Sequence, residues 1–224
     1  MLLWRERENE DLDSEIMEDD GALEVLRQCG LKNYFEMSNM RAQVCMLEML
    51  VGYWDADQEV FVIDRKTLRL DVEDIYFLTG LSRRGEEANM KARNIGSFTV
   101  DEYLELYCTP GAEKIGKQIS FKDIICLDIR AILATLQQIV GLASSHQISR
   151  LHMYYAARCV EPTVFDWSST LLEGTKAQLT TCRKGKTNTF GYGSILLRFF
   201  FEQVPTMSPR VDFGPHVAMI PAMG

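Results

Sequence analysis

A mainly α, single helical domain of about eight helices with one small β-hairpin is the fold this sequence predicts. Three observations carry it. Most segments place apolar residues three and four apart, the spacing of one helix face. One stretch, Glu59–Gly85, shows the period of two that strands require. Strands and helices do not alternate along the chain, and no repeat of solenoid length is present, which excludes a doubly wound sheet and a repeat array on pattern.

The net charge of −8 is unevenly placed. Residues 1–20 hold nine acidic residues against Arg5 and Arg7, so most of the excess lies there. We expect an acidic disordered tail over 1–20, a helical domain over 21–204, and an extended Pro-rich tail over 205–224 that ends as if truncated. The near-neutral remainder excludes a strongly basic domain that wraps DNA, but allows a local basic patch. The six cysteines are dispersed with no Cys-x-x-Cys, so free thiols inside the cell fit better than a disulfide framework or a zinc ribbon. Met1–Trp4 runs straight into RERENEDLD, which is not a signal peptide.

The elements follow in order. Ala22–Cys29 reads as a short helix capped by Asp20 or Gly21 and closed by Gly30. Asn39–Trp54 carries Met40, Val44, Leu47, Val51 and Trp54 on one face, with Ser38 or Asn39 as cap. Its methionines read as adaptable core filling. In Glu59–Gly85, Val60, Val62, Leu68 and Leu70 alternate, and Asp64-Arg65-Lys66 is a break of hairpin length. Asp71 caps a helix from Val72, Glu73 and Asp74 favour its positive end, and Gly80 closes it. This unit is the expected sole β element, a corner for the Asn39–Trp54 and Ser120–Val140 helices.

Thr99 with Glu102 forms a capping-box pattern ahead of Tyr103, Leu104, Leu106 and Tyr107. Gly111–Gln118 reads as a loop. Ser120 is the expected cap of a helix with a wide stripe, Ile125, Ile129, Ile132, Leu133, Leu136, Ile139 and Val140. Asp128, Arg130, Gln137 and Gln138 interrupt it, so it is a core helix and not a membrane span. Ser144 or Ser145 opens the next helix, which runs to about Cys159. Phe165–Cys182 follows, weakened on paper by Gly174. Ser194 is the expected cap of the last helix.

By residue type, the best candidate site is the loop Cys182–Ser194. Arg183, Lys184 and Lys186 precede Gly191, Gly193 and Ser194, which open a helix. Backbone N–H groups at a helix start, with nearby cations, can hold phosphate, so an anion or nucleic-acid contact is one reading. A surface loop with a glycine-rich cap is the other. No Gly-Lys-Ser/Thr follows at Walker spacing. His146, His152 and Cys159 share a helix, but a metal needs three or four convergent ligands, so no metal site is assigned. Asp212-Phe213-Gly214 lacks the rest of a kinase set. Asp71, Asp74, Asp123 and Asp128 are explained by capping and solvation. No catalytic residue and no cofactor is assigned.

Asp74-Ile75-Tyr76-Phe77-Leu78-Thr79-Gly80-Leu81-Ser82-Arg83-Arg84-Gly85, after a strand pair and a helix ending in Tyr53-Trp54, resembles the signature of the plant mobile domain family. The likeness is clearest over Met40–Gly85, with Asp74, Gly80, Leu81 and Gly85 as the matching positions. The resemblance implies a domain of plant transposable elements and genes derived from them, with a nuclear location and protein partners. Nucleic acid is the second partner class, through the basic loop. The family's aminotransferase-like label implies a pyridoxal enzyme, which needs a Schiff-base lysine, a phosphate cup and a carboxylate for the ring nitrogen. Lys176, Lys184 and Lys186 lie on or beside a solvated helix end and supply no such set. A non-enzymatic domain is therefore the expectation; the alternative is an enzyme with a dispersed site, transaminase-like or nuclease-like.

Overall fold

The computed structural model describes residues 10–37, 44–90, 99–112, 114–115, 118–139, 147–161, 163–187 and 190–204. Over these residues the chain is mainly helical with two small antiparallel sheets. The helices are α1 Glu10–Met17, α2 Asp20–Gln28, α3 Lys32–Phe35, α4 Val44–Tyr53, α5 Val72–Thr79, α6 Val100–Tyr107, α7 Leu127–Ile139, α8 Arg150–Val160, α9 Trp167–Arg183 and α10 Gly193–Gln203. The first sheet is β1 Trp54–Asp55, β2 Val60–Ile63 and β3 Lys66–Leu68; the second is β4 Lys114–Ile115, β5 Gln118–Ser120 and β6 Gln147–Ser149, each in the order β1-β2-β3 or β4-β5-β6.

Structure starts before the expected end of the acidic tail. α1 is seated by Ile16, which is fully buried, and Glu15 pairs with Arg130 of α7 at 3.2 Å. The Asp19 side chain, not Asp20 or Gly21, caps α2 by accepting from the Ala22 N–H at 2.7 Å. Residues 38–43, 140–146 and 205–224 lie outside the described residues, and with them the expected Ser38 or Asn39 cap, His146, Asp212-Phe213-Gly214 and the Pro-rich end.

The hairpin is present and closes more tightly than its composition suggests. Ile63 pairs with Lys66, leaving Asp64 and Arg65 as a two-residue turn, both with positive φ, 46° and 67°. That is the geometry Asn-Gly turns usually supply. β1 adds a third strand, with Trp54 opposite Phe61. Phe61, not Val62, enters the core: it meets Trp54 edge-on at 5.0 Å and Phe199 at 6.1 Å, while Val62 is exposed.

The second sheet corrects the expectation of a single β element. Gln118–Ser120 pairs with Lys114–Ile115 on one side and with Gln147–Ser149 on the other. Gly111–Gln118 is thus partly strand. Ser120 precedes a 3-10 turn, Phe121–Asp123, with no side-chain cap bond, and α7 begins only at Leu127. Ser149, not Ser144 or Ser145, caps α8.

α7 carries Ile129, Ile132, Leu133, Leu136 and Ile139 of the expected stripe into the centre, whereas Ile125 precedes the helix and is exposed and Val140 lies outside the described residues. It packs on α2, α8 and α9, whereas α5 packs on α9 and α10 and β2 packs on α4. The corner built by Glu59–Gly85 therefore serves α4, α9 and α10 rather than the α7 region. Two tryptophans tie distant segments. The Trp54 indole donates to Thr180 Oγ1 at 3.0 Å, and that of Trp167 to the Cys29 carbonyl at 3.1 Å.

Candidate functional site

The basic loop begins as a helix end. α9 stops at Arg183, Lys184 follows as its cap, and Gly185 turns left-handed at φ 66°. The Gly185 N–H reaches the Cys182 carbonyl at 2.9 Å and the Lys186 N–H reaches that of Thr181 at 3.1 Å. These paired bonds form a Schellman closure, which satisfies carbonyls that would otherwise face water alone. Arg183, Lys184 and Lys186 are exposed there. Their charges sit at the negative end of a helix, a stabilising placement by itself. The turn Asp55–Gln58 lies near enough for Arg183 to act on Asp55. The backbone N–H groups of Gln58 and Asp57 hold the Asp55 carboxyl below its usual range, and the Arg183 charge adds to that.

The glycine half of the loop behaves differently. Phe190 and Tyr192 are buried, with ring centroids 6.1 Å apart, and they draw Gly191 and Gly193 inward. The Gly191 N–H is taken by Gln178 Oε1 at 2.7 Å. Tyr192 is the N-cap of α10 and makes no side-chain cap bond, so Ser194 lies inside the first turn and is not the cap. The tyrosine explains Gly174: a Cβ there would overlap the Tyr192 hydroxyl. Burial pushes the Tyr192 phenol up. The structure thus divides the sequence candidate. The cations point to solvent at the end of α9, and Gly193 is packed at the start of α10.

The remaining reactive side chains have local uses. His152 is buried on α8, its Nδ1 2.6 Å from Ser149 Oγ, while Nε2 finds no partner among the described residues. Burial pushes the imidazole down to about 4. Cys159 is buried on the same helix, and contact with Cys29, ahead of burial itself, raises its thiol. Lys176 pairs with Glu59 at 3.0 Å. Asp71 and Asp74 form the reciprocal capping box of α5: Asp71 accepts from the Glu73 and Asp74 N–H groups, and Asp74 accepts from the Asp71 N–H at 2.9 Å. Among the described residues no group of three or more His, Cys, Asp or Glu is placed to hold a metal ion, and no helix is long and apolar enough to cross a membrane.

Gly80, Leu81 and Gly85, which carry the family resemblance with Asp74, make a joint. Gly80 closes α5 in the left-handed region at φ 67°, with Asn33 where a Cβ would stand. Leu81 is fully buried, and its carbonyl accepts from Ser168 Oγ at 2.9 Å. Gly85 has φ 118°, and a Cβ there would overlap the Val164 carbonyl. Glu86 then runs parallel to Phe165: its N–H donates to Val164 at 3.0 Å, and its carbonyl accepts from Asp166 at 2.9 Å. Arg158 clasps the Glu86 carboxylate through two bonds of 2.9 Å while lying over the Phe165 ring.

Sequence reasoning missed Gln178, the Gly174–Tyr192 fit and the Glu86–Arg158 clasp. Of these only Gly174 left a local trace, a glycine inside an otherwise sound helix.

Fold and site together define a small helical domain whose described polar side chains largely serve its own architecture. No protein-family model matches the chain, and neither a curated protein nor a solved structure matches it.

Proposed function

We propose that the chain is a non-enzymatic, transposon-related helical domain of the plant mobile domain type, acting in the nucleus through contacts with protein and, at its basic turn, with nucleic acid. The observation that carries the contact reading is the turn itself. Arg183, Lys184 and Lys186 are all exposed on a Schellman closure at the end of α9. The family part rests on the likeness of Asp74–Gly85. The non-enzymatic part is supported by the structural employment of Lys176, His152, Asp71 and Asp74.

Neutralising phosphates releases counterions, so binding through these cations depends on salt. Fluorescence anisotropy with duplex and single-stranded oligonucleotides across a salt series tests this. Lys184→Ala with Lys186→Ala should weaken binding about tenfold at low salt and reduce the salt slope by roughly 2 on duplex. An unchanged slope removes the basic turn as the contact. A new absorbance band on adding pyridoxal phosphate, or metal-dependent cleavage of nucleic acid, overturns the non-enzymatic half.

A further inference from the structure

Two thiols from distant parts of the chain meet in the core, independently of the basic turn. Cys29 is the C-cap of α2, and Cys159 lies on α8. Both are buried, and the Cys159 thiol is hydrogen-bonded to that of Cys29. The bond has a direction. The Cys29 Sγ–H donates to the Leu26 carbonyl at 3.5 Å, which leaves the sulfur lone pairs to accept from Cys159. A tryptophan holds the pair together. The Trp167 indole donates to the Cys29 carbonyl at 3.1 Å, and its ring meets Tyr155 edge-on at 6.0 Å. Tyr155 lies one turn before Cys159 on α8, so the two share a face. Cys29 is thus fastened against the face of α8 that carries Cys159.

As small apolar residues, the two would suit a core anywhere. Their contact adds a chemical possibility. Sulfurs in hydrogen-bond contact lie close to bonding distance, and side-chain rotation closes the remainder. A bond here would join α2 to α8, both of which pack on α7.

We propose that Cys29 and Cys159 form a reversible disulfide, a redox latch that fastens the end of α2 to α8, with a low-molecular-weight disulfide as oxidant. The Cys29 thiolate attacks one sulfur of the reagent, whose S–S bond breaks and whose other half leaves as a thiolate. The Cys159 thiolate then attacks the Cys29 sulfur and expels the second half. Two protein thiols become one disulfide, the reagent becomes two thiols, and the two protons pass to them. Cys29 reacts first because a helix end opens more readily than a helix interior. The closed core has no room for the reagent, so the first step needs that opening. The second follows on reclosure, when the contact reforms. The bond closes a long loop, so the oxidised chain is the more stable one.

Equilibration of the full chain in glutathione buffers from fully reduced to fully oxidised, quenched by alkylation and read by peptide mass mapping, tests the proposal. A Cys29–Cys159 linked peptide is expected as the main intramolecular product, formed reversibly. The oxidised chain should melt roughly 5 to 10 °C higher, and excess reductant should restore the original melt. Cys45→Ser, which removes an exposed thiol, should keep both the link and the shift. Cys159→Ala should lose both, and the peptide map of the unaltered chain decides the matter even if that core variant unfolds. Cys29 and Cys159 alkylated at every buffer ratio, a dominant link through another pair such as Cys108–Cys126, or a linked chain that melts no higher overturns the proposal.

Discussion

His152 shows how one side chain can govern the acid stability of this domain. An unperturbed imidazole titrates near 6.5. Burial on α8 lowers that of His152 to about 4. As pH falls through 6.5 the unfolded chain takes up a proton that the native chain refuses until about pH 4. Stability contributed here is therefore complete above pH 6.5, is lost between 6.5 and 4, and stays lost below. Between pH 7 and pH 4.5 the linkage amounts to about 2.5 kcal/mol. Urea unfolding at both values should show the wild-type chain losing about that much more than His152→Asn. Equal losses in the two proteins rule out His152 as the source. At the same scale, Gly174 and Tyr192 form a matched pair: the missing Cβ makes room for a hydroxyl that the next helix brings in.

At the scale of elements, caps are where local sequence and structure agree. Asp71 reads as the cap of α5 and is the cap; Asp74, read only as favouring the positive end of the helix, also accepts from the Asp71 N–H and completes a capping box. Thr99 with Glu102 behaves likewise on α6. Asp71→Ala leaves two first-turn N–H groups without this acceptor. Chemical denaturation should register a loss of about 1 kcal/mol, the usual worth of an N-cap; no loss would mean that water replaces the carboxylate fully. Both caps were legible because every atom involved lies within four residues. The second sheet was not. β4 has two residues and β5 and β6 three each, too short to display a period, and β5 meets β6 across a long sequence separation. The burial of Phe61 in place of Val62 was also hidden, because it depends on Trp54 and Phe199. In the basic loop the residue types were readable but their directions were not. Which half faces solvent is decided by Phe190 and Tyr192 entering the core.

Across the whole molecule, α7 forms the axis with α2, α8 and α9 against it, and α5 ties α9 to α10. The segment from Gly80 to Glu86 joins these groups. It leaves α5 past Asn33 of α3, buries Leu81, bonds to Ser168 of α9, and pairs with Phe165 at the entrance to α9. The residues that resemble a family signature are thus the ones on which this crossing depends. Their glycines answer to backbone geometry and steric room before any contact with a partner. The exposed cations at the end of α9 and the exposed aromatics on the outer face of α5 lie outside the crossing.

Gly80–Gly85 is a structural joint of this domain. Urea unfolding of Gly85→Ala tests it most directly. A Cβ at φ 118° against the Val164 carbonyl has no room and no favourable backbone well. A loss of at least about 2 kcal/mol relative to wild type is expected. Unchanged stability in that variant would contradict it.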